Sequence, residues 1–392
     1  MSIQELTDTY IAATYARTPI VFTQGEGGLV WDEAGKEYID LGSGIAVNGL
    51  GLANAGWAEA VAAQLRRIAH GSNLYYTEPQ ARLAEALCKR TGMRRVFFAN
   101  SGAEANECMI KTARKYAADK WGENARPVIV TLVNSFHGRT IATLAATGQE
   151  AFHRDFGPFP AGFVHTVAND IADLRRVLAE NTNRCCALML EPVQGEGGVV
   201  PLQKEYMRQA AALARENEML LLLDEVQTGN GRTGTLFAFE QFGIQPDLLS
   251  TAKGLAGGLP LGACLFGEAT ANTLRPGDHG STFGGNPACA AGALYVLEHI
   301  DSALLAEVRE KGTHIRAKLE GRPGIVSVSG MGLMLGVQTL RPAKEILRDC
   351  LEDGVVVLTA KEKVRLLPAL NIAQDLLEQA LEILLEAAGK QA

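Results

Sequence analysis

The sequence predicts an α/β protein, with a large domain on a mixed, mostly parallel sheet followed by a smaller α/β domain. Three observations carry this. Short apolar runs recur at 95–99, 127–133, 185–190, 219–223, 247–251 and 261–266. The run Met219-Leu220-Leu221-Leu222-Leu223 has neither a helical nor an alternating period, which suits a strand buried on both faces. Amphipathic stretches such as 103–119 and 203–217 lie between the runs, and this alternation places helices over a parallel or mixed sheet.

Taken in order, residues 28–41 read as a hairpin, two β-rich runs around the turn Glu33-Ala34-Gly35-Lys36. Thr77-Glu78-Pro79 opens a helix with Leu83, Ala84, Leu87 and Cys88 on one face. After Asn286-Pro287 the texture changes. A helix is expected around 288–302, with short strands near 325–329, 333–338 and 364–367. We divide the chain into an N-terminal segment, 1–50, packing with the small domain; a large domain, 51–286; and a small domain, 287–392. Gln-Gly-Glu-Gly-Gly occurs at 24–28 and again at 194–198. Only the second copy follows a strand, where ligands bind in such sheets.

Bulk properties narrow the function. A chain of 392 residues exceeds one ordinary core. A net charge of −7 argues against nucleic acid as the main partner. No stretch approaches the roughly eighteen apolar residues of a membrane helix. Met1 to Pro19 lacks the apolar core of a signal peptide. The seven cysteines include no Cys-x-x-Cys, and Cys185-Cys186 fall in an expected buried strand. A cytoplasmic, disulfide-free protein is the expectation. The histidines show no metal-ligand spacing, so no metal is expected.

The chemistry begins at two strand ends. Asp224 closes the leucine run, and Lys253 lies just past Leu248-Leu249-Ser250-Thr251. Ligands of open α/β sheets sit outside the carboxyl ends of the strands, so an acid and an amine face one ligand. That pairing suits pyridoxal phosphate, which needs a Schiff-base lysine and a carboxylate for its pyridinium nitrogen. Burial and a neighbouring cation both lower a lysine pKa, leaving a neutral amine. Each residue alone also fits a plain role, a helix cap for Asp224 and a solvated loop lysine for Lys253.

Other motifs surround this pair. Phe97 to Asn106 reads as strand, turn and helix start, and free N–H groups at a helix N-terminus bind phosphate. A Ser-capped helix with a glycine beside the cap looks the same. Arg139, in Phe136-His137-Gly138-Arg139, offers a fork for a carboxylate or a surface salt bridge. Arg365 is a lone charge in an apolar strand, either a ligand cation or half of a structural ion pair. Gly229 to Gly234 matches Gly-x-Gly-x-x-Gly. However, Asp224-Glu225-Val226-Gln227 separates strand from turn and Thr235 to Phe239 opens a helix poorly, so NAD is discounted.

In sequence order, Asn100-Ser101-Gly102-Ala103-Glu104-Ala105-Asn106, Ser135 to Thr140, Glu191 to Gly198, Asp224 to Gly229, Lys253-Gly254 and Ser281 to Pro287 resemble the class III aminotransferases of PLP fold type I. The resemblance covers essentially the whole chain. It implies pyridoxal phosphate as cofactor and small amino acids as substrates. It also implies the PLP-dependent transferase fold type I. Lys253 would form the Schiff base, Asp224 would hold the pyridine nitrogen and Gln227 the ring hydroxyl. Phe136 would stack on the ring. Ser101, Gly102 and Ala103 would hold the phosphate, with Thr282 supplied by the other subunit of a homodimer with shared active sites.

For substrates, the resemblance implies that Arg139 binds the carboxylate of an acylated donor or the side-chain carboxylate of glutamate. Arg365 would take the α-carboxylate of glutamate, and Glu196 would cover Arg365 when the other substrate is bound. Ser281 belongs with the substrate-binding residues. At Gly44, similar ornithine δ-aminotransferases carry a tyrosine that engages a free α-amine. Gly44 leaves space for an N-acylated one. The implied reaction is ping-pong transfer of an amino group from N2-acetylornithine to 2-oxoglutarate. Succinylornithine, succinyl-diaminopimelate, ornithine and 4-aminobutyrate are alternative donors. Leu52-Ala53-Asn54-Ala55-Gly56-Trp57 departs from the family's His-x-His-Pro-like segment and is expected to shape a helix start.

Overall fold

The computed structural model of the chain describes residues 1–390. Near the N-terminus, β1 (Phe22–Glu26), β2 (Leu29–Asp32) and β3 (Glu37–Asp40) form an antiparallel ladder. The expected hairpin is β2–β3. Asp32 Oδ1 closes its turn by accepting the N–H groups of Ala34 and Lys36, each at 2.9 Å. β1 escapes sequence reading because it is largely exposed and lacks apolar alternation.

The next strands are β4 (Arg95–Ala99), β5 (Val128–Leu132), β6 (Phe163–Thr166) and β7 (Cys185–Leu190). They are followed by the two-residue strands β8 (Val193–Gln194) and β9 (Val200–Pro201), then β10 (Leu220–Asp224), β11 (Leu248–Thr251) and β12 (Gly262–Phe266). Seven of them build the central sheet in the order β4-β12-β11-β10-β7-β5-β6. β6, β5, β7, β10 and β11 run parallel, and β12 is antiparallel to both its neighbours. All of β10 and β7 is buried, which is why those runs carry no alternation. Leu220 and Leu222 pack with Met109 and Met189 on one face; Leu221 and Leu223 pack with Leu188 and Met207 on the other. β6 is an unforeseen edge strand, a short half-buried stretch whose apolar signal is weak.

The C-terminal part holds β13 (Ile325–Met331), β14 (Met334–Thr339), β15 (Val355–Val356), β16 (Leu358–Ala360) and β17 (Lys363–Leu366). Four form an antiparallel sheet, β13-β14-β17-β16. β15 instead pairs parallel with β3, Val355 opposite Ile39. N-terminal and C-terminal strands therefore share one sheet. The helix expected around 288–302 is Pro287–His299, and a further helix, Ser302–Leu319, follows it. The break falls where Asp301 caps the second, Oδ1 accepting the Leu304 N–H at 2.8 Å.

The Gly229–Gly234 turn opens no helix. Its Arg232 is 2% exposed and donates from Nη1 to the carbonyl of Leu333 at 3.2 Å and to that of Pro368. The turn therefore fastens the central sheet to the C-terminal part. Among the described residues no single helix is long and apolar enough to cross a membrane, and the seven cysteines are free thiols. Removing Arg232 strips two buried carbonyls of their donor. Arg232→Ala is expected to lower the unfolding free energy by about 3 kcal/mol, measured by urea denaturation at matched protein concentration. An unchanged midpoint would show that this fastening carries no stability.

Candidate active site

β4, β5, β7, β10 and β11 end along one edge of the sheet, and a cavity of 420 Å³ opens there. Its wall takes Asn100 to Ala103 from the end of β4 and Phe136 to Gly138 from the loop after β5. Glu191 follows β7, Asp224 and Gln227 follow β10, and Lys253 follows β11. The anticipated meeting of Asp224 and Lys253 at the strand ends is thus what the backbone builds.

Asp224, 5% exposed, has four donors. Oδ2 accepts from Asn106 Nδ2 at 2.7 Å and from His137 Nδ1 at 2.8 Å. Oδ1 accepts from the Val226 N–H at 3.1 Å and the Ser250 hydroxyl at 3.4 Å. Its chain neighbour Glu225 points the other way. It accepts the N–H groups of Ala238 and Phe239 and the Thr228 hydroxyl, and burial pushes its carboxyl up to about 7. Adjacent acids are thus divided between cavity and scaffold.

Lys253 sits in a strained turn, φ +43, a geometry that non-glycine residues rarely adopt. Asn230 Nδ2 holds that turn through Thr251 Oγ1 at 2.9 Å and the Ala252 carbonyl at 3.1 Å. Trp57 Nε1 donates to the Ala256 carbonyl at 3.1 Å. The helix start expected at 52–57 is present, Asn54 capping the helix Ala55–Arg67, and it braces the lysine turn. Burial lowers the Lys253 ammonium to about 8, with Glu196 opposing and Arg365 assisting. Burial, and next the charge of Asp224, push Glu191 well above the ordinary carboxylate range.

The strand, turn and helix start read at Phe97 to Asn106 are present. Ser101 caps the helix Gly102–Trp121, its hydroxyl accepting the Glu104 N–H at 3.2 Å. The N–H groups of Gly102 and Ala103 then lack intrahelical partners. A Cβ on Gly102 would lie 2.7 Å from Val226 Cγ1, so only glycine lets this helix end approach the loop after β10.

The residues expected to face a substrate divide. Arg365, 3% exposed, donates from Nη1 to Glu196 Oε1 at 2.5 Å and to Gln227 Oε1 at 3.2 Å. Glu196 and Gln227 line the cavity. Arg139 is exposed and is not part of that wall. Its guanidinium lies 4.1 Å from the Phe152 ring centroid and 5.4 Å from that of Phe136. Gly44, φ +61, lines a separate cavity of 480 Å³, while Val47 of the same segment lines the lysine cavity. Ser281 accepts from Asn100 Nδ2 at 3.1 Å yet faces a third cavity. Thr282 is exposed on the outer surface of the same loop.

Asn106, His137 and Glu191 stood inside sequence motifs without an assigned role. Asn106 follows Gly102 by four residues, one helical turn, and so shares its face. Glu191 follows an all-apolar strand just as Asp224 does. For His137 no sequence signal identifies the partner, since Asp224 is 87 residues away.

A family model described as aminotransferase class-III matches residues 10–388. The acetylornithine aminotransferase of Haemophilus ducreyi is 51% identical, with 97% of each chain covered. That of Caldanaerobacter subterraneus is 44% identical, with 96% of each covered. Among solved structures, the N-acetylornithine aminotransferase of Stenotrophomonas maltophilia aligns with a TM-score of 0.84 at 34% identity, covering 98% of this chain and 97% of that one. An ornithine aminotransferase of Toxoplasma gondii, with PLP partially occupying its active site, aligns at 0.91 and 29%, covering 98% and 93%. The chain belongs to the class III aminotransferases. It is a pyridoxal phosphate-dependent transaminase of fold type I.

The residues present fit that cofactor. A helix end with unpartnered N–H groups accepts its phosphate charge, and a buried carboxylate stands ready for a ring cation. Two buried polar atoms beside that carboxylate, Asn106 Oδ1 and His137 Nε2, lack partners among the described residues.

The titration of Lys253 is a direct check on the electrostatics. Glu196 favours the charged ammonium, so removing it lowers the lysine pKa, and the released Arg365 charge lowers it further. In the cofactor-free protein, amine modification of Lys253 is expected to rise with a midpoint near pH 8. In Glu196→Gln the midpoint is expected at lower pH. A rise in that midpoint would contradict the charge assignment.

Proposed function

We propose that this chain transfers the δ-amino group of N2-acetylornithine to 2-oxoglutarate, giving N-acetylglutamate 5-semialdehyde and glutamate, a step of arginine biosynthesis. The observation that carries this reading is the pairing of buried Arg365 with half-buried Glu196 at the edge of the lysine cavity. Glutamate brings two carboxylates and needs two cations, whereas an acylated ornithine brings one carboxylate and an amine. A buried cation without a partner is costly. Glu196 removes that cost in one half-reaction, and moving aside uncovers Arg365 in the other.

In this reading Ser101, Gly102 and Ala103 hold the cofactor phosphate, Asp224 the ring nitrogen, Gln227 the ring hydroxyl, and Phe136 the ring face. Pyridoxal phosphate supplies, when bound, an electron sink for the carbon that gives up its proton. Lys253 carries the cofactor between turnovers. Its Nζ then takes the proton from the amine-bearing carbon and returns it on the other side of the transfer. A pKa near 8 makes that nitrogen both donor and acceptor near neutral pH. Arg139, stacked on Phe152, keeps its edge free for a carboxylate, and Ser281 lies on the substrate side. An added Cβ at Gly44 would meet only Asn48 Nδ2, at 3.4 Å, and Val47 Cβ, at 3.8 Å. These are ordinary contacts, and the lack of a bulky side chain on the segment that also brings Val47 to the lysine cavity supports an N-acylated donor.

The reading includes a homodimer in which Thr282 reaches the partner's site. Leu74, Tyr75, Tyr76 and Phe283 form an exposed apolar group. Asn73 ties their two loops by donating to the carbonyls of Ser281 and Gly284, both at 2.9 Å. Such a patch marks an interaction surface. A cytoplasmic location accords with the seven free thiols. In the partition into 1–50, 51–286 and 287–392, the β3–β15 pairing supports the packing of the first segment with the last.

A panel of amine donors with 2-oxoglutarate tests the reaction. N2-acetylornithine is expected to exceed free ornithine in kcat/KM by at least about tenfold, since an acylated amine removes one misplaced charge. Free ornithine as the better donor would reject the assignment of Gly44. Lys253→Ala is expected to abolish turnover. Arg365→Met should cut kcat/KM for the dicarboxylic acid by on the order of a hundredfold, the loss of a charged hydrogen bond, and affect the acylated donor less.

Shared sites make a second prediction. Mixed dimers of Lys253→Ala and Thr282→Ala chains contain one site with both residues intact. At limiting cofactor they should regain activity that neither homodimer has. No recovery in verified mixed dimers would place Thr282 outside the partner's site.

A further inference from the structure

We propose that the C-terminal sheet clamps the backbone of the loop that carries Glu196, so that Glu196 uncovers Arg365 by turning its side chain while the loop stays in place, and that Ser329 is thereby a positioning residue for Glu196. The proposal rests on the two-substrate reading of Glu196 and Arg365 given above. It begins at Val199, which follows Glu196-Gly197-Gly198. Val199 is fully buried and has φ +51, a left-handed geometry that a β-branched residue rarely adopts. Strain of this kind persists only where the surroundings hold it.

Those surroundings are three strands. In the register of β13, β14 and β17, Ser329 stands opposite Gly336, and Gly336 opposite Arg365. Directly opposed residues point to one face of a sheet. Gly336 therefore leaves a hollow between the side chains of Ser329 and Arg365. Val199 fills it, since a Cβ on Gly336 would lie 2.7 Å from Val199 Cβ. Glycine within a strand is what permits so close an approach.

Hydrogen bonds fix the loop in that hollow. Lys363 Nζ donates to Ser329 Oγ at 2.7 Å. An ammonium only donates, so the Ser329 hydroxyl accepts here and directs its single proton elsewhere. The Val199 carbonyl, at 2.8 Å, takes that proton in preference to the Gly336 carbonyl at 3.3 Å. Lys363 and Arg365 alternate with Val364 on β17 and so share a face. One strand thus holds the loop twice: Arg365 grips the Glu196 side chain, and Lys363, through Ser329, grips the Val199 backbone. The first contact is a side-chain pair that a competing carboxylate can replace. The second is main chain in a filled hollow, and Val199, Ser329, Gly336 and Lys363 all lie outside the wall of the lysine cavity. A dicarboxylic substrate then frees Glu196 without freeing its loop, and the pair re-forms in the same place for the acylated donor.

Two measurements test this. Backbone hydrogen exchange of residues 195–201 is followed in the wild-type holoenzyme with and without saturating glutarate, a dicarboxylate with neither an amine nor an oxo group. Exchange there should not rise; faster exchange with glutarate overturns the clamp, and no variant is needed to see it. Second, kcat and KM for N2-acetylornithine and 2-oxoglutarate are measured in Ser329→Ala, Ser329→Thr, Gly336→Ala and Glu196→Gln. Loss of one buried hydrogen bond in Ser329→Ala should raise the KM of the acylated donor about fivefold and leave kcat and the 2-oxoglutarate KM within about twofold. Ser329→Thr keeps the hydroxyl and should behave as wild type. Gly336→Ala pushes Val199 out of the hollow and should show the larger effect of the same kind.

If Glu196→Gln leaves both substrates unaltered, the reading of Glu196 itself fails. If Glu196→Gln is selective for the acylated donor while Ser329→Ala and Gly336→Ala keep wild-type KM values, or impair both substrates alike, the clamp alone fails.

Discussion

A buried negative charge at the end of β10 is the constraint on which the rest of this structure depends. An ionised carboxylate loses several kcal/mol of hydration when buried and survives only with donors around it. Asp224 has four: the Val226 N–H is two residues away in the same loop, and the other three come from three distant places in the chain. The helix Gly102–Trp121 brings Asn106, the loop after β5 brings His137, and β11 brings Ser250. Each must arrive at the same end of the sheet. The parallel order of β5, β7, β10 and β11 ensures this, because parallel strands present all their carboxyl ends to one edge. The same convergence delivers Lys253 and the helix end at Ser101. A site for one charge thereby becomes a site for a ligand with a cation at one end and an anion at the other.

The remaining charges are balanced across the cavity. Glu196 raises the Lys253 pKa and Arg365 lowers it, while burial dominates and leaves the ammonium at about 8. Glu196 is meanwhile bound to Arg365. Glu196 therefore acts on two cations at once, and any ligand that draws Arg365 away changes what Lys253 experiences. In our reading that coupling is useful. The dicarboxylic substrate occupies Arg365 and leaves Glu196 free beside the lysine, while the acylated donor leaves the pair intact. One set of side chains then meets two substrates of different charge without a change of fold.

Much of this was legible in the sequence, for physical reasons. Strands buried on both faces must be apolar throughout, so β5, β7, β10, β11 and β12 could be located from their runs. Asp224 and Lys253 follow from the rule about strand ends, and Gly102 from its place in a turn before a helix start, whereas its close approach to Val226 is visible only in the structure. β1, β6 and β15 were not legible. They are exposed, half-buried or two residues long, and what holds them is pairing with a distant strand, as between Val355 and Ile39. The pairings within the site were hidden for the same reason. Nothing near His137 in sequence announces Asp224, and nothing near Arg139 announces the ring of Phe152. Asn106 shows no role in the sequence either, though its spacing of four from Gly102 puts it on the same helix face.

The segment that bears Gly44 shows why substrate choice is harder to read than chemistry. Ser43, Gly44, Ile45 and Ala46 all have left-handed φ, at 46, 61, 67 and 62°. Such a geometry costs roughly 1–2 kcal/mol per non-glycine residue, so something must hold it. Asp40 does so in part. Its buried Oδ1 accepts the N–H groups of Gly42 and Ser43 at 2.8 and 2.9 Å. On the far side, a Cβ on Gly254 would stand 3.4 Å from the Ala46 carbonyl, so this turn packs directly against the one that carries Lys253. Val47, next along the segment, is a wall of the lysine cavity. Position 44 therefore acts on the cavity through backbone shape as well as through the space its missing side chain leaves. A tyrosine there would have to accept the left-handed geometry or open the turn, and opening it would move Val47 and the support of Lys253 together. Recognition of a free or an acylated amine at this point is thus tied to how the chain turns between β3 and the helix Ala55–Arg67. A single residue letter states that only in part.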